Sequence, residues 1–522
     1  MPTPRCVDAD TIRAVLKRDD VRGLWPHELS AEVAGLFGEA FAALLAPSGA
    51  GASAPVVVVG HDARIGSLEL GLAFCRGLRQ RGAEAVWLGL VSTEQVYYLT
   101  GRYPERYAGG AMITASHNPK EYNGIKFVRA GARPLDAADQ GRLRDLAIAG
   151  LALPPTLEAG EEFAAFLLEC AGMAALPRTR QARCRVVVAA GHGVGGAAFA
   201  PLARALEAWG FRFTMVDAEP DGDFPRGVPN PLLPGFIRGL GRAVRSEGAA
   251  LGIGFDGDGD RAGFTDAAGR EITGAEVFSL VTARKLAALP AGLAAPVVMR
   301  NLCGSRLLVD LCAAHPGVTL VDTPVGHGKI KLLMRHEAYR DRVVMAGEHS
   351  GHYFYPEMYS VDSGLLTTLY MLQILIDASR TGGGLAQRLR PWRRRYAWSG
   401  EINYVFDDLA GPARALDAVA RHVAAAGQRY EVRADPALGG LERVFPAAGP
   451  YDRAALASPD LKIEWSAPDG AHGWWFVLRP SGNEPKLRLN VETWGANARS
   501  RTREQVAAIV PLIAAAGGRC QG

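Results

Sequence analysis

Several short polar stretches of this chain place residues capable of chemistry directly after apolar runs. Thr114-Ala115-Ser116-His117-Asn118-Pro119 follows a hydrophobic strand expected at Ala111 to Ile113. Asn118-Pro119 disfavours an early helix start, so the Ser116 hydroxyl is expected exposed at a strand end, where α/β proteins keep nucleophiles. The same residue types also make ordinary turns.

Asp256-Gly257-Asp258-Gly259-Asp260-Arg261 follows another buried-type strand, and its glycines let three carboxylates converge without side-chain crowding. Clustered anions repel one another unless a cation joins them. A calcium loop of the EF-hand type would need Gly where Arg261 stands and Glu where Ala267 stands. Mg²⁺ fits better, since it needs few protein carboxylates and completes its shell with phosphate and water. A structural Asp-Gly turn is the alternative.

Arg479-Pro480-Ser481-Gly482-Asn483 combines a guanidinium, a hydroxyl, an amide and a glycine backbone, a set suited to a phosphate dianion. Gly347-Glu348-His349-Ser350-Gly351-His352 offers an acceptor and a hydroxyl suited to sugar hydroxyls, and Thr323 to Lys329 places His327 at a helix start. Arg22, before Gly23, is expected on a glycine turn as an anion contact. Gly191, Gly193 and Gly196 spell G-x-G-x-x-G between a strand and a helix, with Asp217 ending the next strand. That pattern permits a dinucleotide-dependent oxidoreductase; a tight strand-to-helix turn explains it equally.

The elements that must position these loops alternate between strand and helix. Strands are expected at Val56 to Val59, Ala85 to Leu90 and Ile125 to Arg129, then at Arg185 to Ala190, Phe211 to Asp217 and Ala250 to Phe255. A third series has strands at Val297 to Arg300, Thr319 to Asp322 and Val343 to Ala346. Helices between them imply parallel pairing with crossovers. Leu151 to Gly160 reads as a linker, and the basic run Arg388 to Tyr396 as a solvated domain junction. Beyond it the rhythm changes to α+β, with two strands flanking Arg479 to Pro485 and a final helix.

At 522 residues the chain fits three or four domains, and 48% hydrophobic content supports folded cores. With 58 basic and 54 acidic residues, long-range charge makes no case for nucleic acid or a membrane surface. Seven scattered cysteines without metal-ligand spacing point to reduced thiols and a cytoplasmic location. No signal peptide and no bilayer-spanning stretch is expected.

Together TASHNP with Asn123-Gly124-Ile125-Lys126, DGDGDR, GE-x-SGH and RPSG-x-EP followed by Lys486 to Glu492 resemble the α-D-phosphohexomutase family, most closely its phosphomannomutase/phosphoglucomutase members. The resemblance implies three similar mixed α/β domains plus a C-terminal α+β domain around a central cleft. The parts would be residues 1–155 for the phosphoserine, 156–268 for the metal, 269–394 for the sugar and 395–522 for phosphate. It implies Ser116 carried as phosphoserine, with Mg²⁺ held by that group and by Asp256, Asp258 and Asp260. Arg22, His117, Lys126 and Arg261 would surround the phosphoserine, with Lys126 and His327 as proton carriers. Glu348 and Ser350 would hold the sugar, Arg300, standing where a lysine is frequent, would bind substrate with them, and Arg479, Ser481, Gly482 and Asn483 would hold the distal phosphate. The implied reaction interconverts hexose 6-phosphates and 1-phosphates of mannose or glucose through a hexose 1,6-bisphosphate, which also acts as activator, in a monomer or homodimer. A catalytically silent sugar-phosphate-binding protein is the other reading, because Asp19, His349 and Gly482-Asn483 depart from the family pattern.

Overall fold

The computed structural model describes residues 9–17, 20–46, 53–146, 159–176, 178, 184–289, 293–380, 383–425, 431–433, 460–481 and 484–521. They fall into two compact units, Met1–Val277 with Ser350–Arg380, and Phe278–His349 with Thr381–Gly522.

The first unit opens with strands β1 (Val21–Leu24), β2 (Val56–His61), β3 (Glu84–Leu90), β4 (Gly109–Ile113), β5 (Tyr122–Arg129) and β6 (Arg133–Pro134). Their order is β1-β5-β4-β2-β3, with β6 beside β5. The β2 run of four valines suits a strand covered on both faces, and it pairs in parallel with both β3 and β4. The parallel pairing with crossovers stops at the Ser116 loop. Residues 114–121 are too few for a crossover, so β5 returns antiparallel to β4 and also pairs antiparallel with β1. No helix follows Pro119. Arg22 lies within β1, opposite Gly124, and not on a turn.

Helices Ala31–Leu45 and Ser67–Gln80 cover one face of this sheet at very close range. A Cβ on Gly77 would stand 2.0 Å from the Gly35 carbonyl oxygen, so glycine is required at that crossing.

The next sheet repeats the plan with β7 (Cys184–Ala189), β8 (Phe211–Val216), β9 (Leu251–Phe255), β10 (Ala262–Asp266) and β11 (Glu271–Ile272) in the order β11-β10-β9-β7-β8. Strand β7 is parallel to β8 and β9, whereas β10 folds back antiparallel on β9. The Asp256–Arg261 segment is therefore the turn of a hairpin.

In the second unit β12 (Val297–Asn301) pairs in parallel with β13 (Thr319–Thr323) and β14 (Val343–Gly347). The chain then rejoins the first unit through the hairpin β15 (Tyr353–Tyr355) and β16 (Val361–Asp362) and the buried helix Gly364–Arg380. Back in the second unit, helix Gly384–Arg395 carries most of the basic run that sequence reading placed at a solvated domain junction. Alternation of Leu385 and Leu389 with exposed arginines puts one side on the core and lets the charges reach water.

The last sheet is β17 (Tyr396–Val405), β18 (Glu431–Arg433), β19 (Leu461–Ser466), β20 (Gly473–Pro480), β21 (Lys486–Trp494) and β22 (Arg519–Gln521), ordered β18-β19-β20-β21-β17-β22. Helices Gly411–Ala425 and Ala498–Ala515 pack on it. The expected strands around Arg479 to Pro485 are both present. Most of the expected linker at 151–160 and of the Gly/Pro-rich middle of this last part lies outside the described residues.

Candidate active site

Ser116 sits at φ 54°, a left-handed conformation that costs a non-glycine residue free energy and needs support from its surroundings. The support is visible. Its amide donates to Thr114 Oγ1 at 2.8 Å, and Thr114 donates in turn to Asp62 Oδ2 at 2.8 Å. Arg64 donates to the carbonyl oxygens of Ser116, Asn118, Pro119 and Tyr122 at 2.6 to 3.0 Å. Arg22 reaches Ala115 O at 2.7 Å and Asn118 Oδ1 at 2.5 Å. Contrary to the expected exposure, Ser116 is buried, because the Gly257 turn and the two arginines close over the loop.

The Ser116 hydroxyl donates to Asp258 Oδ1 at 3.0 Å, with Arg261 Nη2 at 3.5 Å and His117 Nδ1 at 3.4 Å. Asp258 Oδ2 accepts from Lys126 Nζ at 2.5 Å and from Thr93 Oγ1 at 3.0 Å. Lys126 also donates to Asp260 Oδ2 at 2.9 Å, and Arg261 Nε to Asp256 Oδ2 at 2.7 Å. Asp256, Asp258 and Asp260 are all buried and offer oxygens within 4.8 Å of one another, so they could hold a metal ion.

Charge supports that fit. Burial alone would raise the pKa of Asp258, but the Lys126 ammonium overrides it and holds the carboxylate well below its ordinary range. Burial also opposes a charge on Lys126, and Asp258 and Asp260 overcome it, keeping the amine protonated far above its usual value. Asp256, with Arg261 as its counter-ion, is still pushed upward by burial. Asp260 Oδ1 is buried without a hydrogen-bond partner among the described residues. Three carboxylates thus face two cations, with one acceptor oxygen left over. A divalent cation would give that oxygen a partner.

Ser350 is half-buried on the turn that leads from this unit's boundary to His352. His352 Nδ1 lies 2.7 Å from Asp362 Oδ2 and 3.8 Å from Asp260 Oδ1.

The second unit gathers the remaining residues. Glu348 Oε1 accepts from Asn301 Nδ2 at 2.9 Å and from the Gly326 amide at 3.0 Å, which ties the ends of β14, β12 and the 323–329 loop together. His327 begins helix His327–Met334, as expected, with Nδ1 3.4 Å from Lys331 Nζ. Arg300 is buried; it donates to Asp322 at 2.7 Å and to the carbonyls of Gly304 and Ser305 at 2.8 Å. Arg479 lies on β20 and pairs with Glu401 at 3.3 Å, and Ser481 closes a turn through its amide to Lys486 O at 2.8 Å. Gly482, Asn483 and Asp19 lie outside the described residues.

Family models for the phosphoglucomutase/phosphomannomutase alpha/beta/alpha domains I, II and III match residues 13–149, 161–269 and 276–393, and the model for the C-terminal domain matches 401–509. The chain belongs to the phosphoglucomutase/phosphomannomutase family. It is 35% identical over 495 residues to a protein of Xanthomonas campestris pv. campestris named phosphohexose mutases, covering 94% of this chain and 97% of that one. It is 32% identical to a phosphomannomutase of Salmonella typhimurium, covering 93% and 97%. A crystal structure of a family protein from Burkholderia thailandensis shares the fold at TM-score 0.72 and 22% identity, over 96% of this chain and 98% of that one. The Paramecium phosphoglucomutase parafusin in its open form does so at TM-score 0.72 and 17% identity, over 99% and 95%.

In this chain the G-x-G-x-x-G loop has a packing role. A Cβ on Gly193 would stand 2.8 Å from the Gly257 carbonyl oxygen, and the Val194 amide donates to that oxygen at 3.1 Å. The glycines thus let one loop brace the acidic turn. Asp217 faces His192 at 3.5 Å and Arg226 at 3.6 Å.

Sequence reading missed Asp62 and Arg64, and named Thr114 only as part of the serine loop. A signal existed: Asp62-Ala63-Arg64 follows buried β2 at the same end as Ser116 follows β4, and parallel strands carry their sites there. It also missed Asp362 and Glu401, which have no local motif.

Proposed function

We propose that the protein interconverts hexose 6-phosphates and hexose 1-phosphates, of mannose and glucose, through a phosphorylated Ser116 and a hexose 1,6-bisphosphate. What supports this reading above all is Ser116 Oγ at 3.0 Å from Asp258 Oδ1 within a buried set of three aspartates, Lys126 and Arg261. In the phosphorylated enzyme Asp256, Asp258, Asp260 and the serine phosphate would hold Mg²⁺, which would neutralise charge on the transferring phosphoryl group.

The P–O bond to Ser116 breaks as a bond to the free sugar hydroxyl forms; that hydroxyl loses its proton and the serine oxygen gains one. Lys126 and His327 are the proposed proton carriers, one for each orientation of the sugar. Arg22 and Arg261 orient the loop and the phosphoryl oxygens, His117 flanks them, and Glu348 and Ser350 hold sugar hydroxyls. Arg300, which also holds the 304–305 carbonyls, is proposed to bind substrate. Arg479, Ser481, Gly482 and Asn483 grip the distal phosphate. The bisphosphate turns end for end, and Ser116 accepts the other phosphate.

The proposed parts are residues 1–155 for phosphoserine, 156–268 for metal, 269–394 for sugar and 395–522 for phosphate. An Aspergillus fumigatus N-acetylphosphoglucosamine mutase of related fold was crystallised with GlcNAc-6P and magnesium, which is consistent with both ligand classes. No helix among the described residues is long and apolar enough to cross a membrane, and six described cysteines are free thiols; we place the enzyme in the cytoplasm.

Intact mass after incubation with glucose 1,6-bisphosphate tests the reading. A gain of about 80 Da in the wild type and none in Ser116→Ala is expected. An unmodified wild type that nevertheless turns over would overturn it.

A further inference from the structure

Strands β20 and β21 set two arginines directly opposite each other, Arg479 against Arg488. Like charges in that position repel, and one residue stands between them and the repulsion. Glu401 on β17 lies 3.3 Å from Arg479 Nη2 through Oε2 and 3.6 Å from Arg488 Nε through Oε1. It reaches them because β17 shifts register between Trp398 and Glu401, where Gly400 adopts φ 78°; such a bulge re-aims the side chain that follows it.

The match is incomplete in charge and in hydrogen bonds. Among the described residues Glu401 is the carboxylate paired with both guanidiniums, while Asp460, Glu348 and Glu484 act on them from further off, and the Nε atoms of Arg479 and Arg488 are both buried without a hydrogen-bond partner. A phosphate monoester brings nearly two negative charges and three acceptor oxygens, which is what this pair lacks.

Glu401 also has another partner. His349 Nε2 lies 3.4 Å from Oε2, and His349 Nδ1 is 3.5 Å from Asn301 Nδ2, which itself holds Glu348. Burial would favour a neutral Glu401, but His349, Arg479 and Arg488 keep its carboxylate ionised far below the usual range.

We propose that Glu401 is a built-in stand-in for the substrate's phosphate: it holds Arg479 and Arg488 together in the empty site and yields them to the phosphate by withdrawing to His349. This rests on the reading of the Arg479 loop as the distal phosphate site, and it adds Arg488 to that site. His349, a departure from the family pattern, is thereby given a role, as the donor that holds the displaced carboxylate. Phosphate must compete with Glu401, so the native site binds it more weakly than the two arginines alone would allow.

The test is a double-mutant cycle read by calorimetric titration with inorganic phosphate, using the full chain as wild type, Glu401→Gln, Arg479→Ala and the double variant. Glu401→Gln should bind phosphate about tenfold more tightly, and that gain should vanish in the Arg479→Ala background. Unchanged or weaker binding by Glu401→Gln would overturn the inference, as would a gain that survives without Arg479. If Arg479→Ala leaves phosphate binding at the wild-type level, the phosphate-site reading itself fails, and the inference with it. Melting curves report folding, and Glu401→Ser supplies a second variant should Glu401→Gln fold poorly.

Discussion

The guanidinium of Arg64 lies 2.7 Å from the carbonyl oxygen of Ser116, although the two residues are far apart in sequence. The same side chain holds three more carbonyls of the loop, and the Phe224 ring lies 5.2 Å below it. A single planar fork therefore fixes the strained backbone that aims the serine. Lysine has one ammonium and cannot reproduce four bonds in this arrangement. Arg64→Ala should lower kcat about a hundredfold with KM nearly unchanged, and Arg64→Lys should restore little. Steady-state kinetics beside a melting curve check it; kcat within twofold of wild type in a folded Arg64→Ala would refute a positioning role.

Asp258 is the acidic residue that touches both Ser116 and Lys126. Removing its charge leaves Lys126 with Asp260 and takes one carboxylate from the proposed metal site. Asp258→Asn should raise the Mg²⁺ concentration for half-maximal activity at least about tenfold after chelator treatment. A metal titration that overlays the wild type would show the loop to be misassigned.

In the proposed mechanism one distal-phosphate site serves both orientations of the bisphosphate. Arg479→Ala should therefore reduce kcat/KM about a hundredfold in the forward and reverse directions alike, since a charged hydrogen bond to phosphate is lost in each. Assays run from both sugar phosphates decide, and a defect confined to one direction would argue for two separate phosphate sites.

Mannose and glucose phosphates differ only at C2, and rejecting one epimer strongly requires a buried polar partner there. His349 is the residue of the sugar loop with the chemistry for it, but its imidazole faces Glu401 and Asn301. Both sugars should be used, with kcat/KM values within roughly a thousandfold, about 4 kcal/mol. A larger ratio in side-by-side kinetics would mean that C2 is read.

Gly77 tests the scaffold. Its Cα faces the Gly35 carbonyl across two packed helices, with no room for a methyl group. Gly77→Ala should cost about 1–3 kcal/mol in equilibrium urea unfolding while leaving the kinetics of the folded fraction unchanged. Full stability would show that the helices can separate without penalty.

Local pattern was enough to locate most of the loops that the proposed chemistry uses. Apolar runs ending in Ser116, Asp256, Glu348 and Arg479 mark strands that deliver polar loops, because strand burial and the turn chemistry of Gly, Asn and Pro are properties of a few neighbouring residues. The three aspartates alternate with glycines within one turn, so their convergence was readable without a fold. Tertiary structure decided what no short window contains. The sharp return from β4 to β5 buries Ser116 and puts Lys126 opposite Met112, where its ammonium meets a turn from another sheet. Arg64 and Asp62 act on the serine loop only because β2 lies beside β4. Glu401 meets Arg479 and Arg488 only because β17 and β20 flank β21. These pairings form between residues distant in the chain, and the gain that holds them comes from burial of the sheets as wholes, which leaves no trace in the spacing of neighbouring residues.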